Sequence, residues 1–180
     1  APSMFGALHV RPVVDAYLTR YAEVRVRLVL VDRVVNVIDE GVDVAVRIAA
    51  LPDSGLRATT VGFVRRVLCA SPAYLERHGH PRAPGDLAAH RCIGFTGLVP
   101  GDSWSFGPGP GGGRAKTVRV RPVLTVNTAE GAIGSAIDGV GLTCALSYQV
   151  AEALRTGSLV TLLEPYEPAP VPVQLVCSTG

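Results

Sequence analysis

What most constrains this chain is a hydrophobic period that switches between helical and strand spacing in two successive rounds. Leu8, Val13 or Val14, Tyr17, Leu18 and Tyr21 recur at helical spacing. Val24, Val26, Leu28 and Leu30 then alternate with Arg25, Arg27, Val29 and Val31, a strand pattern. A short helix over 34–40 with Gly41 as its cap, and a strand over 42–48, complete the first round. After a turn at 52–55 and an extended stretch over 59–70, the rhythm restarts. Ser71-Pro72 announces a helix over 73–78, because Pro is favoured at the first helical position. A helical turn at Gly85-Asp86-Leu87 and strands at 92–95, 103–106 and 117–126 follow. Asn127-Thr128 opens a helix through Ile137, and strands at 141–146, 158–163 and 173–177 bracket a helix at 148–155. Such alternation with short loops is the signature of parallel sheets covered by helices. The expected fold is α/β, with two lobes in 180 residues.

Composition supports burial rather than disorder. Hydrophobic residues make up 48% and charged residues 18%, the reverse of a disordered chain. Arg, Asp, Glu, Gly or Pro breaks every apolar run well short of the roughly 18 residues of a spanning helix. No signal-like segment opens the chain, so no membrane partner is expected. Net charge is +2 and the arginines are scattered, which gives no electrostatic case for nucleic acid binding by this piece. Cys69, Cys92, Cys144 and Cys177 form no Cys-x-x-Cys pair, and three lie in apolar strand-like runs. They read as buried reduced thiols of a cytoplasmic protein.

The search for chemistry returns little. There is no nucleophile elbow, zinc-protease helix or Walker lysine loop. The glycine-rich stretch 107–114 leads into a strand, whereas a phosphate loop must lead into a helix, so it reads as a hairpin tip. His78 and His80 sit at a helix exit, and the acids do not converge. No catalytic residue, metal site or cofactor is expected.

Particular strings then become recognisable. Ala1-Pro2-Ser3-Met4-Phe5-Gly6, Tyr17-Leu18-Thr19-Arg20-Tyr21 and the run from Asp32 to Ile48 resemble the effector-binding domain of LysR-type transcriptional regulators. The resemblance continues through Leu68-Cys69-Ala70-Ser71-Pro72-Ala73-Tyr74-Leu75, His78-Gly79 and Asp86-Leu87-Ala88-Ala89-His90-Arg91-Cys92. It ends with Trp104-x-Phe106, Asn127 and Gly139-x-Gly141-Leu142. It implies a periplasmic-binding-protein-like fold of type II, each lobe a mainly parallel sheet flanked by helices. Lobe one would be 1–69 and 168–180, and lobe two 70–167. A small effector would bind in the cleft between them. The family's winged helix-turn-helix precedes the matched part, so DNA contact is expected only through that absent domain. Against the family pattern, lobe one is expected to be truncated at both ends. Self-association into dimers, and tetramers in the full protein, is also implied.

Ligands of open α/β sheets sit at strand carboxyl ends, where helix N-termini offer amide donors. On that logic Ser3, Met4 and Phe5 at the first helix, and Asn127 and Thr128 at the matching helix of lobe two, are expected to hold a small anionic metabolite. Ser3 and Thr128 would also cap their helices. Arg47 is the expected charge partner, with Phe95 and Thr96 on the opposite wall. A solute-binding protein of a transporter shares this fold and is the rival reading.

Overall fold

The computed structural model describes residues 1–33, 39–50, 57–98 and 102–177. The expected turn at 52–55, and residues 34–38 of the expected helix at 34–40, lie outside them. The chain divides into two compact units, Ala1–Val64 with Val171–Gly180, and Arg65–Pro170. It leaves the first unit after Val64 and returns after Pro170, whereas the family resemblance implies crossings near Cys69-Ala70 and Pro165 to Pro168.

Unit 1 opens with α1 (Ser3–Phe5), a π-helical segment (Gly6–Val10) and α2 (Arg11–Arg20), in unbroken succession. Pro12 has no N–H to donate and its ring crowds the carbonyl four residues back. The π-helical segment ends at Val10, two residues before Pro12, which lies in the first turn of α2. The sheet of this unit has the order β1 (Val44–Ile48), β10 (Val171–Cys177), β2 (Arg57–Val64). Both pairings are antiparallel, so the expected mainly parallel sheet is corrected here. The cause is that β10 arrives from the far end of the sequence and slots between two strands that run opposite to it.

The strand expected over Val24 to Leu30 is also corrected, since among the described residues they belong to no ladder. One residue alone is paired. The Ala1 nitrogen donates to Val29 O at 2.9 Å, and Val31 N–H donates to Ala1 O at 3.0 Å. That is the hydrogen-bond pattern of a single parallel bridge between Ala1 and Leu30, and one bridge is too short to count as a strand.

Unit 2 carries the larger sheet, in the order β7 (Pro122–Val126), β4 (Cys92–Phe95), β8 (Leu142–Leu146), β3 (Arg66–Ala70), β9 (Val160–Leu162). β4 is parallel to β7 and β8, while β3 is antiparallel to β8 and β9. The sheet is therefore mixed. Every residue of β4 and β8 is buried, which is why both read as unbroken apolar runs rather than alternating ones. α4 (Ala129–Ile137) carries the chain from β7 to β8 and packs over β4, β7 and β8.

The long strand expected at 117–126 is two strands. β6 (Lys116–Arg119) pairs with β5 (Ser103–Phe106) in a separate hairpin, and β7 joins the main sheet. Val120 is buried between them and Pro122 begins β7 on the sheet's edge, the place where a missing donor costs nothing. The glycine-rich stretch is the tip of the β5–β6 hairpin, as its lead into a strand implied. Gly109 has φ +77° and sits where a Cβ would strike the Tyr166 ring, so only glycine serves there.

α3 (Pro72–His78) follows its sequence signals closely. Ser71 Oγ accepts from Tyr74 N–H at 3.4 Å, Pro72 takes the first turn, and Gly79 ends the helix at φ +79°. A 3-10 helix (Pro84–Ala89) follows, with Asp86 accepting from Arg82 N–H and Ala83 N–H. The helix expected at 148–155 is shorter, α5 (Ala151–Arg155). Gln149 Oε1 accepts from Leu146 N–H at 2.8 Å and Gln149 N–H donates to Leu146 O, which holds the preceding residues in a turn.

Candidate functional site

In unit 2 the parallel strands β4 and β7 end side by side. Phe95 is opposite Val126, and Thr96 N–H and Thr96 Oγ1 both donate to Val126 O, at 3.0 and 3.4 Å. Continuing the register places Thr96 beside Asn127, and the chain then turns directly into α4. Thr128 is extended (φ −124°, ψ 145°) and its Oγ1 accepts from Gly131 N–H at 3.2 Å. The expected capping role of Thr128 is thus present. Thr96, Asn127 and Thr128 are all exposed. Phe95 is buried, its ring lying where a side chain at Gly97 would otherwise go.

Next to this corner is a recess of about 170 Å³ lined by Thr96, Asp102, Pro122 and Thr125. Gly94 helps keep it open, since a Cβ there would lie 3.2 Å from Thr125 Oγ1 and 3.3 Å from Pro122. Asp102 pairs with Arg119 at 3.4 Å, both side chains being well exposed. Sequence reading missed Thr125 and Asp102. The signal for Thr125 was available, because it lies two residues before Asn127 and so shares its strand face. Asp102 lies at the base of the β5–β6 hairpin, and no local pattern marks it.

The four expected residues of unit 1 are placed differently. Ser3 does not cap its helix. Pro2 occupies the cap position without a side-chain bond, and Ser3 is the first helical residue. Its N–H instead donates to Asp32 Oδ1 at 2.9 Å. A carboxylate from the far end of the extended segment thereby satisfies a helix N-terminus, where negative charge is favoured. The sequence offered no local signal for this, because the two residues are 29 positions apart. Met4 and Phe5 lie half-buried in the same turn, with the Phe5 ring 4.8 Å from His9. Arg47 lies half-buried on β1, opposite Gln174 of β10.

Among the described residues no group of three or more His, Cys, Asp or Glu could hold a metal ion. Among the same residues no helix is long and apolar enough to cross a membrane.

A sequence model described as the LysR substrate binding domain matches residues 1–180. The probable HTH-type transcriptional regulator LtrA of Klebsiella pneumoniae is 34% identical over 167 residues, 92% of this chain and 53% of that protein. The solved regulatory domain of CrgA, a LysR-type transcriptional regulator from Neisseria meningitidis, is 30% identical with a TM-score of 0.81. That match covers 99% of this chain and 86% of the other. The full-length Vibrio cholerae virulence activator AphB shares the fold, with a TM-score of 0.84 at 22% identity, over 99% of this chain and 59% of that one. The chain spans about half the length of the curated relatives it matches.

Proposed function

Taking as premise that the chain belongs to the LysR substrate-binding domain family, we propose that it binds a small effector and passes that event to a DNA-binding part of a longer regulator. Its relatives are transcriptional regulators, and their names give the rival transporter reading no support. Binding without turnover, a cytoplasmic location and assembly into dimers or tetramers belong to the same proposal. An effector acts here by differential affinity, stabilising one arrangement of the regulator over another.

The single observation that supports an effector site is the corner of unit 2 where β4 and β7 end at α4. Thr96, Asn127 and Thr128 are exposed there, and the first-turn amides of a nine-residue helix have no intrahelical acceptor. Ser3, Met4, Phe5 and Arg47 remain the proposed contacts of unit 1, and Phe95 a buried support for unit 2. The Asp32 carboxylate sharpens the assignment. An anionic group brought to Ser3 would face a charge already in place, so the anionic end of the effector is assigned to α4.

Calorimetric titration of the chain with a panel of small carboxylates and phosphate esters tests this. Saturable binding without consumption of the compound is expected. Thr128→Asp keeps a good capping residue while adding a negative charge. It should weaken an anionic effector at least tenfold, about 1.4 kcal/mol, with stability retained. Unchanged affinity in Thr128→Asp and in Asn127→Ala would overturn the site, and turnover of the bound compound would overturn the regulator.

A further inference from the structure

The corner of unit 2 where α3, the 3-10 helix and β4 meet holds a group of side chains that the effector site does not use. Tyr74 of α3 is fully buried. Its ring stacks on His78 at 4.4 Å, and His90 lies on its other contact at 5.9 Å. Arg91 N–H donates to Tyr74 Oη at 2.9 Å, and Tyr74 Oη lies 3.2 Å from His90 Nδ1. Among the described residues Tyr74 makes no other side-chain hydrogen bond.

The tautomer of His90 sets the direction of the 3.2 Å contact, and among the described residues only an accepting Nδ1 gives the buried phenol proton a side-chain partner. The phenol has one proton to give, and its oxygen already accepts from the Arg91 amide. The Arg91 amide therefore donates to Tyr74, and Tyr74 donates to His90 Nδ1. That requires an unprotonated Nδ1, with the neutral imidazole carrying its proton on Nε2. A proton added at Nδ1 would face the phenol proton. The hydroxyl must then turn away from the one side-chain acceptor it has among the described residues, in a buried setting where an unmade hydrogen bond is expensive.

We propose that Tyr74, His90 and the Arg91 amide form a proton-operated latch, closed while His90 is neutral and released when it takes a proton. Three elements meet at the latch. Asp86 faces it from the 3-10 helix, Arg77 and His78 from α3, and Arg91 and Cys92 from the entry to β4. Desolvation, followed by the charge of His78, holds His90 below its ordinary 6.5, against the opposing pull of Asp86. The folded state thus prefers neutral His90. The stability it contributes is present above 6.5 and is lost as pH falls through the depressed folded-state value.

What the latch fastens lies beside it. Arg91 O accepts from Leu142 N–H at 2.9 Å, and Gly141 leaves no room for a side chain against that same carbonyl. Arg77 Nη2 donates to Gly139 O at 3.2 Å. Both contacts hold the exit of α4 and the entry to β8. Release of the Arg91 amide consequently loosens the end of α4 remote from Thr128.

Nitrogen-15 NMR of the imidazoles, with amide exchange of Arg91, tests the proposal in the intact chain. At neutral pH His90 should carry its proton on Nε2, and its midpoint should fall below 6.5. Arg91 exchange, corrected for intrinsic base catalysis, should rise about tenfold as His90 protonates, the loss of roughly one hydrogen bond. Tyr74→Phe keeps the ring stack and should raise the His90 midpoint and abolish the pH step in Arg91 exchange. A proton on Nδ1 at neutral pH, a midpoint at or above 6.5, or Arg91 exchange that ignores the titration would overturn the latch. The tautomer is read in the unaltered chain, so the test stands even where Tyr74→Phe does not fold.

Discussion

Single residues in this chain are governed by burial more than by charge. Desolvation pushes the Cys69 thiol up to about 12 and the Cys92 thiol up to about 11, and it raises Cys144 as well. Thiolate is the reactive form, so at pH 8 these three present about one part in a thousand or less of it. Cys177 alone is half-exposed. Titration of the native chain with a thiol reagent should therefore label one cysteine quickly, and all four after denaturation. A second fast thiol in the native chain would show that β3, β4 or β8 opens more readily than its packing implies. Gly139 makes a complementary case, one of backbone rather than burial. It has φ +76°, and a Cβ there would lie 2.7 Å from Arg77 Nη2. Gly139→Ala should cost about 1–2 kcal/mol of stability in urea unfolding, from the left-handed backbone and the displaced Arg77 bond to Gly139 O.

At the scale of elements, local signals were legible and partnerships were not. Ser71-Pro72 and Thr128 marked the starts of α3 and α4 because a cap is written within three residues of the bond it makes. Ser3 looked the same in sequence, yet Asp32 took the role from 29 positions away. Alternation over Val24 to Leu30 identified an extended segment, but a strand also needs a neighbour, and Ala1 alone supplies one bridge. Parallel or antiparallel sense depends on which strand arrives from elsewhere, and β10 between β1 and β2 carried no local mark of it. The candidate site divided in the same way. Asn127 and Thr128 were legible from their place after a strand, and Asp102 entered the adjoining recess only through the β5–β6 hairpin. The β1–β10–β2 register has its own consequence. It puts Val44 and Leu175, exposed by 58 and 39%, on one face, and Phe63, exposed by 68%, opposite Pro172 on the other. Phe63 is the most exposed large apolar side chain among the described residues, and exposed apolar surface favours association. Phe63→Ser should reduce binding of a hydrophobic dye to the chain and raise its solubility. Equal dye binding would place the exposed apolar surface elsewhere.

For the whole molecule, the two units differ in what holds them together. Unit 2 packs Leu68, Tyr74, Leu87, Trp104, Phe106, Leu142 and Leu162 into one core around its five-stranded sheet. Among the described residues, unit 1 has a smaller buried cluster, Ala45 and Val176 with Val42 against them, on a three-stranded sheet. Burial of large apolar side chains is the main source of stability, at about 1.5–3 kcal/mol each, so the units should not unfold together. The chain's one tryptophan, Trp104, is 2% exposed and belongs to unit 2, whereas backbone circular dichroism reports on both units. In a urea titration the dichroism should begin to fall before Trp104 fluorescence changes. Amides of β1, β2 and β10 should likewise exchange through smaller openings than those of β3, β4 and β8. A ligand bound at the α4 corner adds RT ln(1 + [L]/Kd), about 2.7 kcal/mol at a hundredfold excess over Kd. That gain should move the Trp104 transition to higher urea and leave the early dichroism change in place. Two coincident transitions, shifted equally by ligand, would instead mean that both units share one cooperative fold.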